Sequence, residues 1–442
     1  MKKGTYFIAS LGCAKNTVDS ESMALLLAKE GLHMASKPED AQFLIVNTCG
    51  FIDAARQESL QALEEFSAIK QPGQILIAAG CLTQRFPQLV SERIKAIDAI
   101  MGTRRWMDIV TVAQKAQGRH LKTHFHLPDV STVGSEDINI LRAARQGGSA
   151  YLKIADGCRR TCAYCSIPAI KGTQVSRPLS RILNDARDLQ KSHVKEIILI
   201  SQDTSDYGSD LGIKDGLPYL LENLVNAVPE IPWIRILYTF PGFVSDQLIR
   251  LMADTPQILP YLDLPLQHAH PDVLRRMNRP ANIQWVYETI AKMRNAMPEL
   301  AMRTTFIVGH PGETDKEFDF LLNFVREIQF DHVGAFTFSF EEGTPGASMG
   351  DPVPSEIKEQ RWQQLMLVQE EIALEKNRQW IGKTLPILIE GCGDGISVGR
   401  SYRDAPEIDG LVILSDQELP EGSLVNVRIT KALTHDMFGI LA

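Results

Sequence analysis

Residues 157–165 read GCRRTCAYC and place three cysteines, Cys158, Cys162 and Cys165, within eight positions. The Cys-x3-Cys-x2-Cys spacing offers three thiolates to a cubic cluster of four irons and leaves one iron without a protein ligand. Zinc is the alternative, but structural zinc usually has four ligands in paired Cys-x2-Cys or Cys/His sets, and no second pair lies nearby. The spacing therefore favours an iron-sulfur cluster with one open coordination position.

The triad follows the first of six strand candidates that alternate with helical patterns. These strands are predicted at residues 151–155, 196–201, 233–238, 261–264, 303–308 and 333–340. Six such units predict a partial (β/α)6 barrel, in which chemistry gathers at the C-terminal ends of the strands. After the fifth strand, the turn GHPGET contains Gly309, Pro311 and Gly312 as candidates for binding a cofactor. A tight turn that needs unusual backbone angles is an equally good explanation of these three residues.

Residues 1–116 predict a separate N-terminal domain with parallel strands and helices. Cys13 in SLGCAKN, Cys49 in VNTCG and Cys81 in AAGC each follow one of its strand candidates. Because parallel strands end at a common edge of the sheet, these cysteines can converge there, and helix N-termini would stabilise their thiolates. A small buried core residue is the alternative for any single one of them. Their shared position favours a second metal cluster.

The rest of the chain divides into four segments. They are a linker at 117–148, the barrel at 149–354, a connecting amphipathic helix at 355–380 and a small five-stranded β-barrel at 381–442. The linker contains His120, His124 and His126, but no cysteine or carboxylate spacing completes a metal site around them. We therefore expect this segment to be a solvated connection.

Composition indicates a globular protein of several domains, since 44% of the 442 residues are hydrophobic and 23% are charged. The apolar stretch at residues 6–11 is too short for a secretory signal, and no apolar run approaches the length of a membrane span. Six of the seven cysteines lie in the motifs above. We expect a cytoplasmic protein without a membrane partner, because thiolates and low-potential clusters persist in a reducing compartment.

Net charge argues weakly against a dedicated nucleic-acid binder, because the chain carries a formal charge of -8. Residues 378–442 contain six basic and nine acidic side chains, a net charge of -3. Small β-barrels often bind RNA, but an acidic one suits a basic protein better. Asp404, Glu407 and Asp409 in RDAPEIDG are expected to be exposed contacts for such a partner.

Taken together, the three spaced cysteines, the Cys-x3-Cys-x2-Cys triad and the small β-barrel resemble the methylthiotransferase family of radical S-adenosylmethionine (SAM) enzymes along essentially the full chain. The tail is similar to a TRAM domain. The stretches LGCAKNTVDSE, LISQDTSDYG and DLPLQHAHPDVLRRMNR resemble the branch that modifies the β-carbon of an aspartate in small-subunit ribosomal protein twelve. Ala14 is a departure, since the family pattern has proline there.

This resemblance implies two 4Fe-4S clusters and SAM as cofactors. Cys158, Cys162 and Cys165 would hold the cluster that cleaves SAM, with Tyr164 beside the last of them as a cofactor contact. The second cluster, which carries the sulfur, would be held by Cys13, Cys49 and Cys81. No further catalytic side chain is assigned. The implied partners are the ribosomal protein as substrate, a reductant protein and a sulfur donor.

Two clusters suit the implied chemistry, because breaking an aliphatic C–H bond needs a radical, which SAM cleavage supplies. Sulfur held on a second cluster would then meet the carbon radical at high effective molarity. An electron relay or a purely structural cluster is the alternative for the N-terminal cysteines. Two other functions stay open: a transfer-RNA methylthiotransferase, whose tail would bind RNA, and an iron-sulfur scaffold without enzymatic activity.

Overall fold

The structure is a computed structural model that describes residues 4–118, 123–134 and 139–442. The chain forms two compact units. The first contains Met1–Ala144, Ala155–Arg177 and Glu341–Pro345, and the second contains Arg145–Ile154, Pro178–Phe340 and Gly346–Ala442. All six motif cysteines therefore belong to the first unit.

The first unit is built on a six-stranded parallel sheet with the order β2-β1-β3-β4-β5-β6. Its strands are β1 Thr5–Ser10, β2 His33–Met34, β3 Phe43–Thr48, β4 Ile75–Gly80, β5 Ala99–Met101 and β6 His124–His126. Every residue of β3 and β4 is buried, as expected for nearly continuous apolar strands covered on both faces. The predicted N-terminal parallel α/β fold is confirmed.

Helices cover both faces of this sheet. They are α1 Ala14–Lys29, α2 Asp53–Ile69, α3 Cys81–Arg85, α4 Pro87–Arg93 and α5 Ile109–Gln117. On one face, Met23 of α1 and Val112 of α5 lie in the same apolar core. On the other face, Leu63 of α2 and Val90 of α4 lie in a second core. Each helix buries its apolar stripe against the sheet, which gives three layers.

The sequence predicts a linker at residues 117–148, but the structure places a strand of the first sheet within this stretch. β6 lies within it and pairs in parallel with β5, so it is an edge strand of the first sheet. A further strand, β7 Ala143–Gln146, follows. His126 Nε2 lies 2.7 Å from Asp108 Oδ2, whereas His120 lies outside the described residues. A three-residue strand is too short to give a recognisable sequence pattern.

Six strands carry the second unit. They are β8 Ser149–Lys153, β11 Glu196–Ile200, β12 Trp233–Ile236, β13 Tyr261–Asp263, β14 Ala301–Val308 and β15 His332–Thr337. Two sheets have the orders β12-β11-β8-β7 and β13-β14-β15. Among these six strands, β8, β11 and β12 are parallel in the first of these two sheets, and β13, β14 and β15 are parallel in the second. All six predicted barrel strands are thus present, within a few residues of their predicted ends.

Helices alternate with these strands. They are α7 Leu179–Lys191, α8 Gly216–Ala227, α9 Asp246–Asp254, α10 Pro271–Arg276, α11 Ile283–Ala296, α12 Asp315–Ile328 and α13 Ser355–Arg378. A capping box starts α12, with the Thr314 side chain accepting from the Glu317 N–H and the Glu317 side chain accepting from the Thr314 N–H. The long connecting helix is α13. No helix in the described part of the chain is long and apolar enough to cross a membrane.

The C-terminal segment of the second unit is a closed barrel with the order β16-β17-β18-β20-β19. Its strands are β16 Thr384–Gly393, β17 Ile396–Ser401, β18 Val412–Ser415, β19 Leu424–Ala432 and β20 Met437–Leu441. In β19, Val427 and Ile429 are buried while Arg428 and Thr430 are exposed. This alternation places apolar side chains inside the barrel. The predicted five-stranded barrel is confirmed.

The loop RDAPEIDG of this barrel is not the exposed docking loop that the sequence had suggested. Asp409 accepts a hydrogen bond from the Tyr261 hydroxyl at 2.7 Å, and one of its oxygens lies 3.3 Å from Arg303 Nε. Asp404 is also buried, and only Glu407 of the three acidic residues is exposed. Partners on β13 and β14 satisfy Asp409, so the prediction of exposed contacts is wrong for Asp404 and Asp409.

A buried carboxylate joins the small barrel to the rest of the second unit. Glu196 of β11 accepts from Arg235 Nε at 2.6 Å and from Arg400 Nη2 of β17 at 2.6 Å, and all three side chains are fully buried. Burial raises the pKa of this carboxyl, but the charges of Arg400 and Arg235 outweigh burial and lower the pKa to about 2. Glu196 is therefore ionised and compensated in the folded protein.

Replacing Arg400 with methionine should destabilise the second unit. The substitution leaves Glu196 buried with one cation instead of two, and breaking a buried pair costs about 3–5 kcal/mol. Urea denaturation of the metal-free protein measures this loss. The matched control is Lys191→Met, which breaks a surface pair with Asp188 whose side chains are 75% and 61% exposed and should change stability by less than about 0.5 kcal/mol.

Lowering the pH should reduce the difference in the free energy of unfolding between the original protein and the Arg400→Met variant. Because the folded pKa of Glu196 is depressed from 4.5 to about 2, its contribution to stability is complete above about pH 4.5 and is lost as the pH falls towards 2. The original protein therefore loses more stability than the variant between about pH 5 and pH 3. Equal stability of the two proteins at neutral pH would contradict this role of Arg400.

Candidate metal centres

Three cysteines, Cys13, Cys49 and Cys81, form what we call the N-terminal triad. Cys13 lies between β1 and α1, Cys49 directly follows β3, and Cys81 is the first residue of α3 after β4. The strands β1, β3 and β4 are parallel neighbours in the sheet. The structure therefore brings the three cysteines to one edge of the sheet, in agreement with the sequence analysis.

Two glycines beside these cysteines show how closely the loops approach. A Cβ atom at Gly12 would lie 2.7 Å from the Cβ and 3.0 Å from the Sγ of Cys49, and Gly12 also has a φ of +90°. A Cβ atom at Gly50 would lie 2.6 Å from the Cα of Leu82. Both distances are too short for a side chain, so glycine is required at both positions. The loops that carry the thiols are therefore closely packed against one another.

The thiols of the N-terminal triad influence one another. Burial raises the pKa of Cys81 to about 12, the charge of Lys171 opposes this shift, and the charges of Cys13 and Cys49 add to it. At Cys13, desolvation is outweighed by the charge of Lys15 and the backbone N–H of Asn16, which lower the thiol pKa. Three thiolates this close need a cation to compensate them. The donor set therefore fits an iron-sulfur cluster.

Asn16 is a functional candidate that the sequence analysis missed. Its side chain is buried, and its Nδ2 donates to the carbonyl oxygens of Leu11 at 2.9 Å and Thr48 at 3.1 Å. Its Oδ1 accepts from Cys81 Sγ at 3.7 Å. One amide thus holds the two loops that precede the first two cysteines and contacts the third. The signal in the sequence is only an asparagine three residues after Cys13.

The barrel triad consists of Cys158, Cys162 and Cys165. It lies between β9 Ala155–Asp156, which pairs with β10 Val175–Ser176, and the short helix α6 Ile167–Lys171. The backbone N–H of Cys165 donates to the carbonyl of Cys162 at 3.1 Å, and the N–H of Cys158 donates to the carbonyl of Gly172 at 3.1 Å. These bonds fold the loop back on itself.

Exposure differs along the barrel triad. Cys158 and Cys162 are buried, whereas Cys165 and its neighbour Tyr164 are half-buried. The Sγ of Cys158 accepts from the backbone N–H of Arg160 at 3.4 Å. Such hydrogen bonds to sulfur stabilise a thiolate ligand. The loop geometry is compatible with a cluster, and contact between Tyr164 and SAM stays a prediction.

The loops of the two triads touch within the first unit. The hydroxyl of Ser166, the residue after Cys165, donates to the carbonyl of Phe51 at 3.4 Å. Phe51 lies two residues after Cys49. The structure therefore brings the loop after Cys49 into contact with the loop of the barrel triad.

The turn GHPGET lies in the second unit. Gly309 has a φ of +73°, and a Cβ atom there would overlap the side chain of Lys358. The carboxylate of Glu313 accepts from the N–H groups of Gly309 at 2.8 Å and His310 at 3.2 Å. The turn thus has a structural reason for its first glycine. Cofactor binding by Gly309, Pro311 and Gly312 stays a prediction.

Sequence models of three families match the chain. The radical SAM superfamily matches residues 152–325, a TRAM domain matches residues 381–441, and the family described as uncharacterized protein family UPF0004 matches residues 5–102. The matches agree with the order of the two triads and the small barrel along the chain.

Curated proteins named ribosomal protein uS12 methylthiotransferase RimO are similar over almost the whole chain. The protein from Roseiflexus sp. is 44% identical over 98% of this chain and 96% of its own length. The protein from Chloroflexus aurantiacus is 44% identical over 98% of this chain and 99% of its own length. The protein from Microcystis aeruginosa is 43% identical over 99% of both chains.

Solved structures with a similar fold include two radical enzymes. The methyltransferase TsrM from Kitasatospora setae, with cobalamin and a 4Fe-4S cluster bound, has a TM-score of 0.58 and 12% identity, covering 89% of this chain and 76% of that chain. The enzyme OxsB, with aqua-cobalamin and SAM bound, has a TM-score of 0.51 and 11% identity, covering 84% of this chain and 56% of that chain. At this identity the likeness concerns the fold.

Replacing Asn16 with alanine should weaken iron binding at the N-terminal triad. The variant loses the two hydrogen bonds that Asn16 Nδ2 donates to the loops before Cys13 and Cys49, and loss of such supporting contacts typically costs about 10–100-fold in metal affinity. Iron retention during chelator challenge measures the effect, in a background with Cys158, Cys162 and Cys165 replaced by alanine. The control is Asn184→Ala, at an exposed position of α7. Equal iron retention in the two variants would refute the role of Asn16.

Proposed function

The chain belongs to the RimO family of ribosomal protein uS12 methylthiotransferases, and on that basis we propose that it attaches a methylthio group to the β-carbon of an aspartate in this ribosomal protein. Full-length identity of 44% to these enzymes is the observation that carries the proposal. The N-terminal triad, the barrel triad and the small barrel lie within the three matched ranges, 5–102, 152–325 and 381–441, which supports the proposal.

We propose that the barrel triad and the N-terminal triad each hold one 4Fe-4S cluster. When bound, the clusters supply the electron that cleaves SAM and the site that carries the sulfur. The chain's own contribution is to hold three thiolates at each of two places, the ends of β1, β3 and β4 and the single loop between β9 and α6, and to leave one iron of each cluster without a protein ligand. The bond between Ser166 and Phe51 supports one shared reaction space.

The N-terminal triad is proposed to act in sulfur transfer rather than in radical formation. Its thiols lie at the edge of the six-stranded sheet, which contains none of the barrel strands. This location suits a second metal site with a role different from that of the barrel triad. Holding the sulfur there would raise its effective concentration near the substrate carbon. Tyr164, Gly309, Pro311 and Gly312 remain the proposed contacts of SAM.

A protein substrate suits the surface charge of the C-terminal barrel. Arg400 and Arg403 are buried, as are Asp404 and the carboxylate of Asp409. The other side chains of residues 378–442 still include four basic and seven acidic groups. An acidic surface favours a basic protein over a polyanion. We propose in addition that a reductant protein and a sulfur donor serve the enzyme in the cytoplasm.

Cells that lack this chain should contain unmodified uS12. Methylthiolation replaces one hydrogen by an SCH3 group, so mass spectrometry of uS12 peptides should show the modified aspartate only when the chain is present. Transfer RNA from the same cells is the control and should be unchanged. Loss of a transfer-RNA modification with uS12 unaffected would instead identify a transfer-RNA methylthiotransferase.

Cysteine variants should separate the roles of the two triads. Replacing Cys158, Cys162 and Cys165 with alanine should halve the iron content and abolish cleavage of SAM to 5′-deoxyadenosine, because the barrel triad would no longer hold its cluster. Cys49→Ala should retain this cleavage and lose the methylthiolated product.

The matched control for these variants is Cys392→Ala, which removes an exposed cysteine outside both triads. This variant should keep full iron content, SAM cleavage and product formation. SAM cleavage by the triple variant would contradict the assignment of the barrel triad. Normal product formation by Cys49→Ala would reduce the N-terminal triad to a structural role.

A further inference from the structure

Four charged side chains of the first unit form a closed ring, which we call the charge ring. Asp19 lies 2.9 Å from Lys171 Nζ and 2.7 Å from Arg142 Nη2. Asp156 lies 3.1 Å from Arg142 Nη2 and 3.7 Å from Lys171 Nζ. Each carboxylate therefore contacts both cations, and each cation contacts both carboxylates.

The charge ring is buried and contains two carboxylates and two cations. The side chains of Asp19 and Lys171 are each 2% exposed, that of Arg142 is 7% exposed and that of Asp156 is 11% exposed. The guanidinium of Arg142 also lies 3.9 Å from the centre of the Trp106 ring. Removing four charges from water is costly, and buried ion pairs often stabilise a protein no more than apolar side chains would. A role in fixing the positions of the segments that carry these side chains would explain why four charges are buried here.

The members of the charge ring come from the segments that carry both triads. Asp19 lies on α1, six residues after Cys13. Lys171 is the last residue of α6, six residues after Cys165, and Asp156 precedes Cys158 by two residues. The ring therefore connects the helix behind the N-terminal triad to both ends of the barrel-triad loop.

Neighbouring contacts stiffen this connection. The carbonyl of Gly172, the residue after Lys171, accepts from the N–H of Cys158 at 3.1 Å. The side chain of Arg104 donates to the carbonyls of Ile170 at 2.9 Å and Ala169 at 2.6 Å. These bonds hold the C-terminal end of the short helix α6. A shift of Lys171 relative to Asp19 would move the two cysteine loops relative to each other.

We infer that Asp19, Arg142, Asp156 and Lys171 are positioning residues that fix the separation of the two cysteine triads. This inference rests on the proposed function, in which both triads hold clusters. A carbon radical generated beside one centre must reach the sulfur at the other, and a misplacement of about 1 Å can cost about 100-fold in rate. The ring sets that distance through the segments that carry the cysteines. The Lys171 cation in addition opposes the rise that burial causes in the pKa of the Cys81 thiol, so Asp156→Glu, which keeps all four charges, is part of the test.

The test is the double variant Lys171→Met with Asp19→Asn. It removes one cation and one anion, so the ring loses its link between α1 and α6 while the remaining pair of Arg142 and Asp156 stays balanced. The control is Lys70→Met with Asp98→Asn, which removes another ion pair of the first unit, with an N–O distance of 2.6 Å. Asp98 lies just before β5, at the opposite end of the strands from the N-terminal triad.

The first readout is the magnetic interaction between the two reduced clusters in electron paramagnetic resonance, which depends on their separation. The second is the amount of 5′-deoxyadenosine formed per methylthiolated product. The double variant should keep its iron, show a changed magnetic interaction and form about tenfold more 5′-deoxyadenosine per product. The control should match the original protein in both readouts.

A second variant, Asp156→Glu, keeps all four charges and lengthens one side chain, and it serves as the test if the double variant fails to fold. It should change the same two readouts by a smaller factor. Unchanged magnetic interaction and product ratio in a folded, iron-replete variant would overturn the role of the charge ring. Absence of a second cluster in the original protein would instead overturn the proposed function on which the inference rests.

Discussion

Parallel strands that end at one edge of a sheet are the constraint on which the N-terminal centre depends. Each of β1, β3 and β4 delivers one cysteine to that edge, and glycines beside the cysteines let the loops approach within contact distance. A parallel sheet needs helices on both faces, and α1, α2, α4 and α5 supply them. The convergence of the three cysteines is therefore a consequence of the strand order.

In two places the structure pairs buried carboxylates with buried cations. In the second unit, Glu196 is held between Arg235 and Arg400, which fixes the small barrel to the strands that precede it. In the first unit, the charge ring connects the segments that carry the two triads. Both arrangements contain ionised groups that would be costly to bury alone. They define where elements meet more than they add to overall stability.

The acidic tail shows how burial changes a functional interpretation. Charges clustered in a turn are typical of an exposed loop, but Asp409 is used internally by Tyr261 and Arg303. The exposed acidic surface of the barrel is therefore smaller than the sequence suggests, because it excludes Asp404 and Asp409. Glu407 is the member of the original group that stays exposed.

The sequence alone determined the features whose information is local or periodic: the Cys-x3-Cys-x2-Cys spacing, the strand and helix alternation, and the small barrel. It also predicted that Cys13, Cys49 and Cys81 converge, because strand order follows general rules. Only the tertiary structure showed the contacts of Asn16 and of the charge ring. Asp19 is 123 residues from Arg142 and 152 residues from Lys171. Burial of these polar side chains depends on distant partners that satisfy them, and no local pattern in the sequence specifies which partners those are.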